Sequence, residues 1–154
     1  MRLLIAAVGR AKAGPERDLF DHYRGRIRPP FSLDLKEVEE KRSLSTSEMK
    51  QREAELLTCA VPTGAIVVAM DERGKQLSSI DFAGKLGGWR DGGEGDVAFM
   101  IGGADGLDAS VRDTARMTLS LGAATWPHML VRGLLAEQIY RAQQILAGHP
   151  YHRA

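Results

Sequence analysis

A chain of 154 residues with 44% apolar and 27% charged residues has the size of one ordinary domain and a composition that excludes disorder and fibrous repeats. Its 21 Lys+Arg against 20 Asp+Glu neither demand nor forbid nucleic acid, because RNA binding depends on local basic clusters rather than the total. The longest apolar runs, such as Ala65–Met70, are too short to cross a bilayer. Met1-Arg2 leads into a brief apolar run followed by Gly9-Arg10-Ala11-Lys12 rather than a cleavage site, so no signal peptide is expected and a reducing cytoplasm is the expected location.

Arg2–Val8 is a nearly continuous apolar run and reads as a strand covered on both faces. Gly9–Gly14 is a loop, Pro15 suits the first turn of a helix, and Leu19, Tyr23 and Ile27 give that helix one buried stripe before Pro29-Pro30 ends it. Phe31–Val38 alternates apolar and polar residues, the mark of a half-exposed strand near a sheet edge. After a polar, mobile stretch at Glu39–Thr46, Ser45-x-x-Glu48 predicts a capping box opening a helix whose inner face carries Met49, Leu56, Leu57 and Ala60. The lone Cys59 falls within that helical pattern and is expected as a buried, inert thiol.

Ala65–Met70 is fully apolar and reads as a central strand. Ser78 or Ser79 caps a helix burying Phe82, Leu86 and Trp89; Asp96–Ile101 is a fourth strand; Gly102–Leu107 is a glycine loop; and Asp108 caps a short helix through Met117. Thr118–Leu121 is a brief fifth strand. The last helix runs from Pro127 to Ala147 with Leu130, Val131, Leu134, Leu135, Ile139, Ala142, Ile145 and Leu146 inside, and Gly148 stands at its C-terminal position. The expected fold is α/β, a mostly parallel five-stranded sheet with helices on both faces, forming a single domain over 1–154.

Three segments carry chemistry. Ile101-Gly102-Gly103-Ala104-Asp105-Gly106-Leu107 follows a buried strand and precedes a capped helix, where ligands collect in open α/β sheets and glycines let the backbone approach them. Its G-G-x-x-G spacing differs from the dinucleotide fingerprint, and Gly9-x-x-x-x-Gly14 lacks the Lys-Ser/Thr that a phosphate loop needs. Leu121-Gly122-Ala123-Ala124-Thr125-Trp126-Pro127-His128 follows the fifth strand, and its small residues leave room for a planar ring beside the backbone, though an ordinary strand-to-helix connection has the same pattern. The last helix bears a polar stripe, Arg132, Glu137 and Arg141, followed by the tail His149-Pro150-Tyr151-His152-Arg153, whose arginines and phenol suit phosphate and base contacts. A charged stripe is commonly just a solvated face. No metal site is expected, since His149 and His152 lack further ligands nearby, and no G-x-S-x-G elbow suggests a hydrolase.

In order and spacing, LLIAAVG near the start, IGG-x-x-GL at Ile101–Leu107, LSLGAATWPH at Leu119–His128, LVRGLLAEQIYRA at Leu130–Ala142 and HPYHR at His149–Arg153 resemble the ribosomal large-subunit pseudouridine methyltransferases of the SPOUT superfamily. The resemblance covers essentially the whole chain. It implies a C-terminal trefoil knot, which the residue pattern alone does not suggest because knots are nearly absent among folds. It also implies a homodimer, S-adenosylmethionine as cofactor, and methylation of N3 of a pseudouridine in 23S ribosomal RNA on the assembled ribosome. Cofactor contacts carry over to Met70, Gly102, Gly103 and to Leu121, Gly122, Ala123, Ala124, Thr125 and Trp126. Gly122, Ala124 and Trp126 depart from the residues many relatives carry, which leaves backbone contacts intact and alters packing around the adenine.

The proton on the acceptor nitrogen needs a base, for which His128, Glu137, Tyr151, His152 and solvent are the alternatives. Tyr151 and Arg153 are expected to position the target, and Arg132 and Arg141 to hold RNA phosphate or order the dimer interface. Two other readings are a knotted methyltransferase acting on another RNA such as tRNA, and a non-catalytic ribosome-binding module.

Overall fold

The computed structural model describes residues 1–151; His152, Arg153 and Ala154, and with them the expected roles of His152 and Arg153, lie outside the described residues. The elements are β1 (Arg2–Val8), α1 (Pro15–Arg24), β2 (Ser32–Val38), α2 (Thr46–Ala60), β3 (Ile66–Gln76), α3 (Ser79–Asp91), β4 (Asp96–Ile101), α4 (Ala109–Thr114), β5 (Met117–Ser120) and α5 (His128–Leu146). Strands pair in the order β2-β1-β4-β3-β5, and every pairing is parallel. The alternating strand β2 lies at one edge, as its pattern predicts. The fully apolar third strand is interior, between β4 and β5.

Strand periodicity divides the core into two layers. Leu3, Ile5 and Ala7 of β1, with Val97, Phe99 and Ile101 of β4, meet Phe20 of α1, Phe82 and Leu86 of α3, and Leu135 and Ile139 of α5. The intervening Ala6 and Val8, with Ala69 and Met100, face Ala54 and Leu57 of α2, Leu107 just before α4 and Val111 within it. Both faces are therefore covered, as near-continuous apolar strands require.

The capping signals hold: the side chains of Ser45, Ser78 and Asp108 accept from the amides of Glu48, Asp81 and Ser110. Gly148 adopts φ +71° just after α5, and its amide reaches the Ile145 carbonyl at 3.1 Å.

Four expectations need correction. α1 ends at Arg24, so Ile27 is buried from beyond the helix, and the residue buried within it is Phe20 while Leu19 and Tyr23 are half-buried. Cys59 is exposed rather than buried: Ala54 and Leu57 define the inner line of α2, and Cys59 falls off it. α4 stops at Thr114, letting β5 start at Met117. On α5 the buried line is Arg132, Gly133, Leu135, Ala136, Ile139, Tyr140, Ala142 and Gln143, whereas Leu130, Val131 and Leu134 are half-buried beside it.

β3 extends past Met70 because the chain arches out and rejoins β5: Leu119 pairs with both Met70 and Lys75 across the irregularity. Gly74 makes the return possible. A Cβ there would lie 2.7 Å from the backbone of Thr118 and Leu119, and backbone cannot step aside as a side-chain tip can. Gly74→Ala is expected to destabilise the protein by about 1–3 kcal/mol, the usual cost of overpacking. The midpoint of urea unfolding checks this, and an unchanged midpoint would show the arch to be pliable.

Candidate active site

The carboxyl ends of β3, β4 and β5 meet the segment after β5 in a cavity of about 310 Å³. Its walls include Met70, Gly102, Gly103, Leu121, Gly122, Ala124, Thr125 and Trp126, all expected in the cofactor set, together with His128. Ala123 of that set is exposed and is not part of this wall. The segment is held in place locally: Ser120 Oγ accepts from the Gly122 amide at 3.1 Å and donates to the Gly122 carbonyl at 2.9 Å, Thr125 Oγ1 donates to Glu72 at 3.3 Å, and Trp126 Nε1 reaches the Leu121 carbonyl at 3.4 Å. Gly122 has φ +116°, a conformation glycine adopts without cost.

Gly102 is buried for a different reason from ligand approach. A Cβ there would lie 2.6 Å from the Gly106 carbonyl carbon, so glycine is what lets the loop fold back on itself. Gly103 faces Glu53 of α2, whose Oε2 would lie 3.1 Å from an added Cβ. Burial, then the charge of Asp105, pushes the Glu53 carboxyl above its usual range. Sequence reading overlooked Glu53, although it falls one position before Ala54 on the inner side of α2.

A second, larger cavity of about 630 Å³ shares Leu119, Leu121, Gly122 and Trp126 with the first and opens toward α1 and α5. It gathers three of the predicted catalytic residues. Glu137 Oε1 accepts from Arg141 Nε at 3.0 Å and Nη2 at 2.6 Å, and from the Tyr151 hydroxyl at 3.1 Å. Tyr151 also packs edge-on against Tyr140 at 4.8 Å, with the Arg141 guanidinium 5.0 Å from its ring. Burial, then hydrogen bonding to Tyr23 and the nearby Glu137, pushes the Tyr151 phenol up to about 12. It therefore keeps its proton and serves as a donor. His128 stands apart from this trio, at the first position of α5 and on the wall of the smaller cavity. Burial, then the charge of Arg132, holds its imidazole below the usual value, so the ring is neutral at neutral pH.

Arg132, expected to hold RNA phosphate or to order the dimer interface, instead points into the fold. It is 1% exposed. Its Nη2 donates to the Val8 and Gly9 carbonyls at 3.0 and 2.7 Å, and its Nη1 to Glu37 Oε2 at 2.6 Å. Glu37 Oε2 also accepts from the Ala11 amide at 2.7 Å. The signal was present in both sequences of spacing: Glu37 continues the buried phase of Phe31, Leu33 and Leu35, and Arg132 lies three, four and seven residues before Leu135, Ala136 and Ile139. Among the described residues no group of three or more His, Cys, Asp or Glu is placed to hold a metal.

Comparison with known proteins identifies the family. A model described as a predicted SPOUT methyltransferase matches residues 1–152. The chain is 63% identical over 154 residues to the ribosomal RNA large subunit methyltransferase H of Rhodospirillum centenum, covering 100% of both chains. It is 62% identical over 153 residues to that of Paramagnetospirillum magneticum, covering 99% of both. Among solved structures, a probable methylase family protein from Haemophilus influenzae matches at TM-score 0.53 and 11% identity over 99% of this chain and 70% of that one, a likeness of fold alone. The chain belongs to the SPOUT methyltransferase family, and S-adenosylmethionine is its cofactor.

The smaller cavity fits that cofactor. Leu119, Leu121 and Val131 offer apolar surface to a flat heterocycle, the glycines leave backbone groups accessible, and the carboxylates of Glu72 and Asp105 match a ligand carrying a sulfonium and an ammonium group.

Breaking the Arg132–Glu37 pair is expected to be costly. Burial raises the Glu37 carboxyl, but the Ala11 amide, the Arg132 hydrogen bond and charge, and Arg10 together leave it below its usual range. A lowered folded value contributes stability that is present above the unfolded value and lost as pH falls through the folded one. Glu37→Gln leaves a buried guanidinium uncompensated and should cost about 3 kcal/mol at neutral pH. The loss should shrink as wild type itself is acidified below about pH 4. Chemical denaturation at several pH values measures it; a loss that is constant down to pH 3 would contradict the pairing.

Proposed function

We propose that this protein methylates N3 of a pseudouridine in 23S ribosomal RNA, on the assembled ribosome, acting as a homodimer in the cytoplasm. The observation that carries this reading is the full-length identity with proteins named ribosomal RNA large subunit methyltransferase H. The large cavity supports a dimer, because it leaves Leu19, Tyr23, Leu134 and the 43%-exposed Trp126 on an open face. A C-terminal trefoil knot is what membership of the SPOUT methyltransferase family leads us to expect. Compact α/β layers read RNA through shape, which favours a preformed particle over a free strand.

Bound S-adenosylmethionine supplies an electrophilic methyl carbon. The chain's own tasks are to orient the target base and to take the imide proton, since N3 is a poor nucleophile while protonated. Among the described alternatives His128 suits the second task, being neutral at neutral pH and on the cofactor cavity wall. Tyr151 is a donor, and Glu137 is already engaged by Arg141 and Tyr151. We assign Tyr151, Arg141 and the tail residues His152 and Arg153 to holding the target base and its phosphate.

Incubating the protein and S-adenosylmethionine with ribosomes lacking the modification, then analysing digested RNA by mass spectrometry, tests the reading. Methylpseudouridine is expected on ribosomes and not on free 23S RNA; methylation of bulk tRNA instead would contradict it. In the same assay the rate should rise with pH to a plateau reached by neutrality, and His128→Gln should lower it about a hundredfold and remove that rise. An unchanged profile would exclude His128 as the base.

A further inference from the structure

Many of the surface cations are paired: Arg2 with Asp96, Arg24 with Asp34, Arg42 and Arg52 with Glu40, Arg73 with Asp71, Arg90 with Asp91. Arg10 and Lys12 are exposed and, like the exposed Lys41, Lys75, Lys85 and Arg116, enter no ion pair among the described residues; what sets them apart is their place in the fold. They flank Ala11, whose amide is fixed by Glu37, which is fixed in turn by the buried Arg132. The loop bearing them springs from the rim of the cofactor cavity. A Cβ on Gly9 would lie 3.8 Å from His128 Nε2, and one on Gly103 would lie 3.2 Å from Val8 Cγ1.

Solvated lysines and arginines are ordinarily unremarkable, but a solvated loop needs no ion pair anchored on a buried arginine to hold it. Such a pair gives little net stability over apolar residues of the same size, because desolvating the charges costs as much as their attraction returns. What Arg132 and Glu37 achieve that an apolar pair could not is to grip a backbone amide between two outward cations.

We infer that the Gly9–Gly14 loop is a ribosomal-RNA phosphate grip, in which Arg10 and Lys12 neutralise backbone phosphates beside the target nucleotide. The Arg132–Glu37 pair keeps the grip in register with the cofactor cavity. This rests on the ribosomal RNA reading above. Arg10 brings a planar fork suited to two phosphate oxygens, and Lys12 a point charge that adapts to the neighbouring phosphate.

The test is the binding of ribosomes lacking the modification by wild type, by the double variant Arg10→Ala/Lys12→Ala, and by Lys85→Ala, which removes an exposed cation on α3. Binding is measured across a range of salt concentrations, with S-adenosylmethionine affinity and thermal stability measured alongside. Each phosphate contact adds about 0.7–0.9 to the slope of log affinity against log salt, so the double variant should lose about 1.4–1.8 from that slope. Its ribosome affinity should fall about 25–60-fold near 0.1 M salt while cofactor affinity and melting stay at wild-type values. Lys85→Ala should match wild type. An unchanged slope in the double variant, or an equal loss in Lys85→Ala, would overturn the grip while wild-type methylation of ribosomes left the ribosomal reading standing. Wild type that neither binds nor methylates ribosomes would overturn both.

Discussion

One buried guanidinium ties together the parts of this fold that the chemistry needs. Arg132 lies near the start of α5 and reaches across the end of β1 to two carbonyls and to a carboxylate on the edge strand β2. Strand carbonyls at the end of β1 have no further strand to pair with, and α5 must begin close above them if its first turn is to wall the cavity. An arginine solves both problems, since its fork satisfies carbonyls and carboxylate at once. The Nε of Arg132 remains without a partner among the described residues, so the side chain is held entirely from its tip.

Around that anchor, close backbone approach shapes the site. Gly74 lets β3 return to β5 after its arch, Gly102 lets the loop after β4 close on Gly106, and Gly133 admits Leu19 of α1 against α5, where a Cβ would lie 2.6 Å from Leu19 Cδ2. The result is two cavities divided by one short segment, Leu121 to Trp126. The smaller holds the groups suited to a cofactor and a neutral imidazole. The larger holds a protonated phenol, a carboxylate and a guanidinium in one hydrogen-bonded set. The imidazole thus stands outside the hydrogen-bonded set in which Glu137 accepts from Arg141 and Tyr151.

Much of the fold was legible because local rules and tertiary structure agreed. Continuous apolar runs became interior strands, alternation became an edge, and serine or aspartate caps opened the helices where spacing placed them. The glycine loop and the segment after β5 were found because strand ends in parallel sheets collect ligands. What failed did so where tertiary context overrode side-chain type. Arg132 read as part of a polar stripe because charge usually means water, yet its position in the helical period was that of a buried residue. Cys59 read as buried because thiols usually are, and its helical phase said otherwise. The β3 arch was invisible because nothing in Asp71–Gly74 distinguishes an excursion within a strand from the end of one.

The most direct measurement is calorimetric titration of S-adenosylmethionine into the double variant Glu37→Gln/Arg132→Met, which removes the clamp without leaving a buried charge unpaired. If the clamp sets the cavity, the folded variant should bind the cofactor at least tenfold more weakly, about 1.4 kcal/mol. Wild-type affinity in a variant that unfolds cooperatively would contradict the account, and would mean that the cavity is shaped by the glycine loops alone.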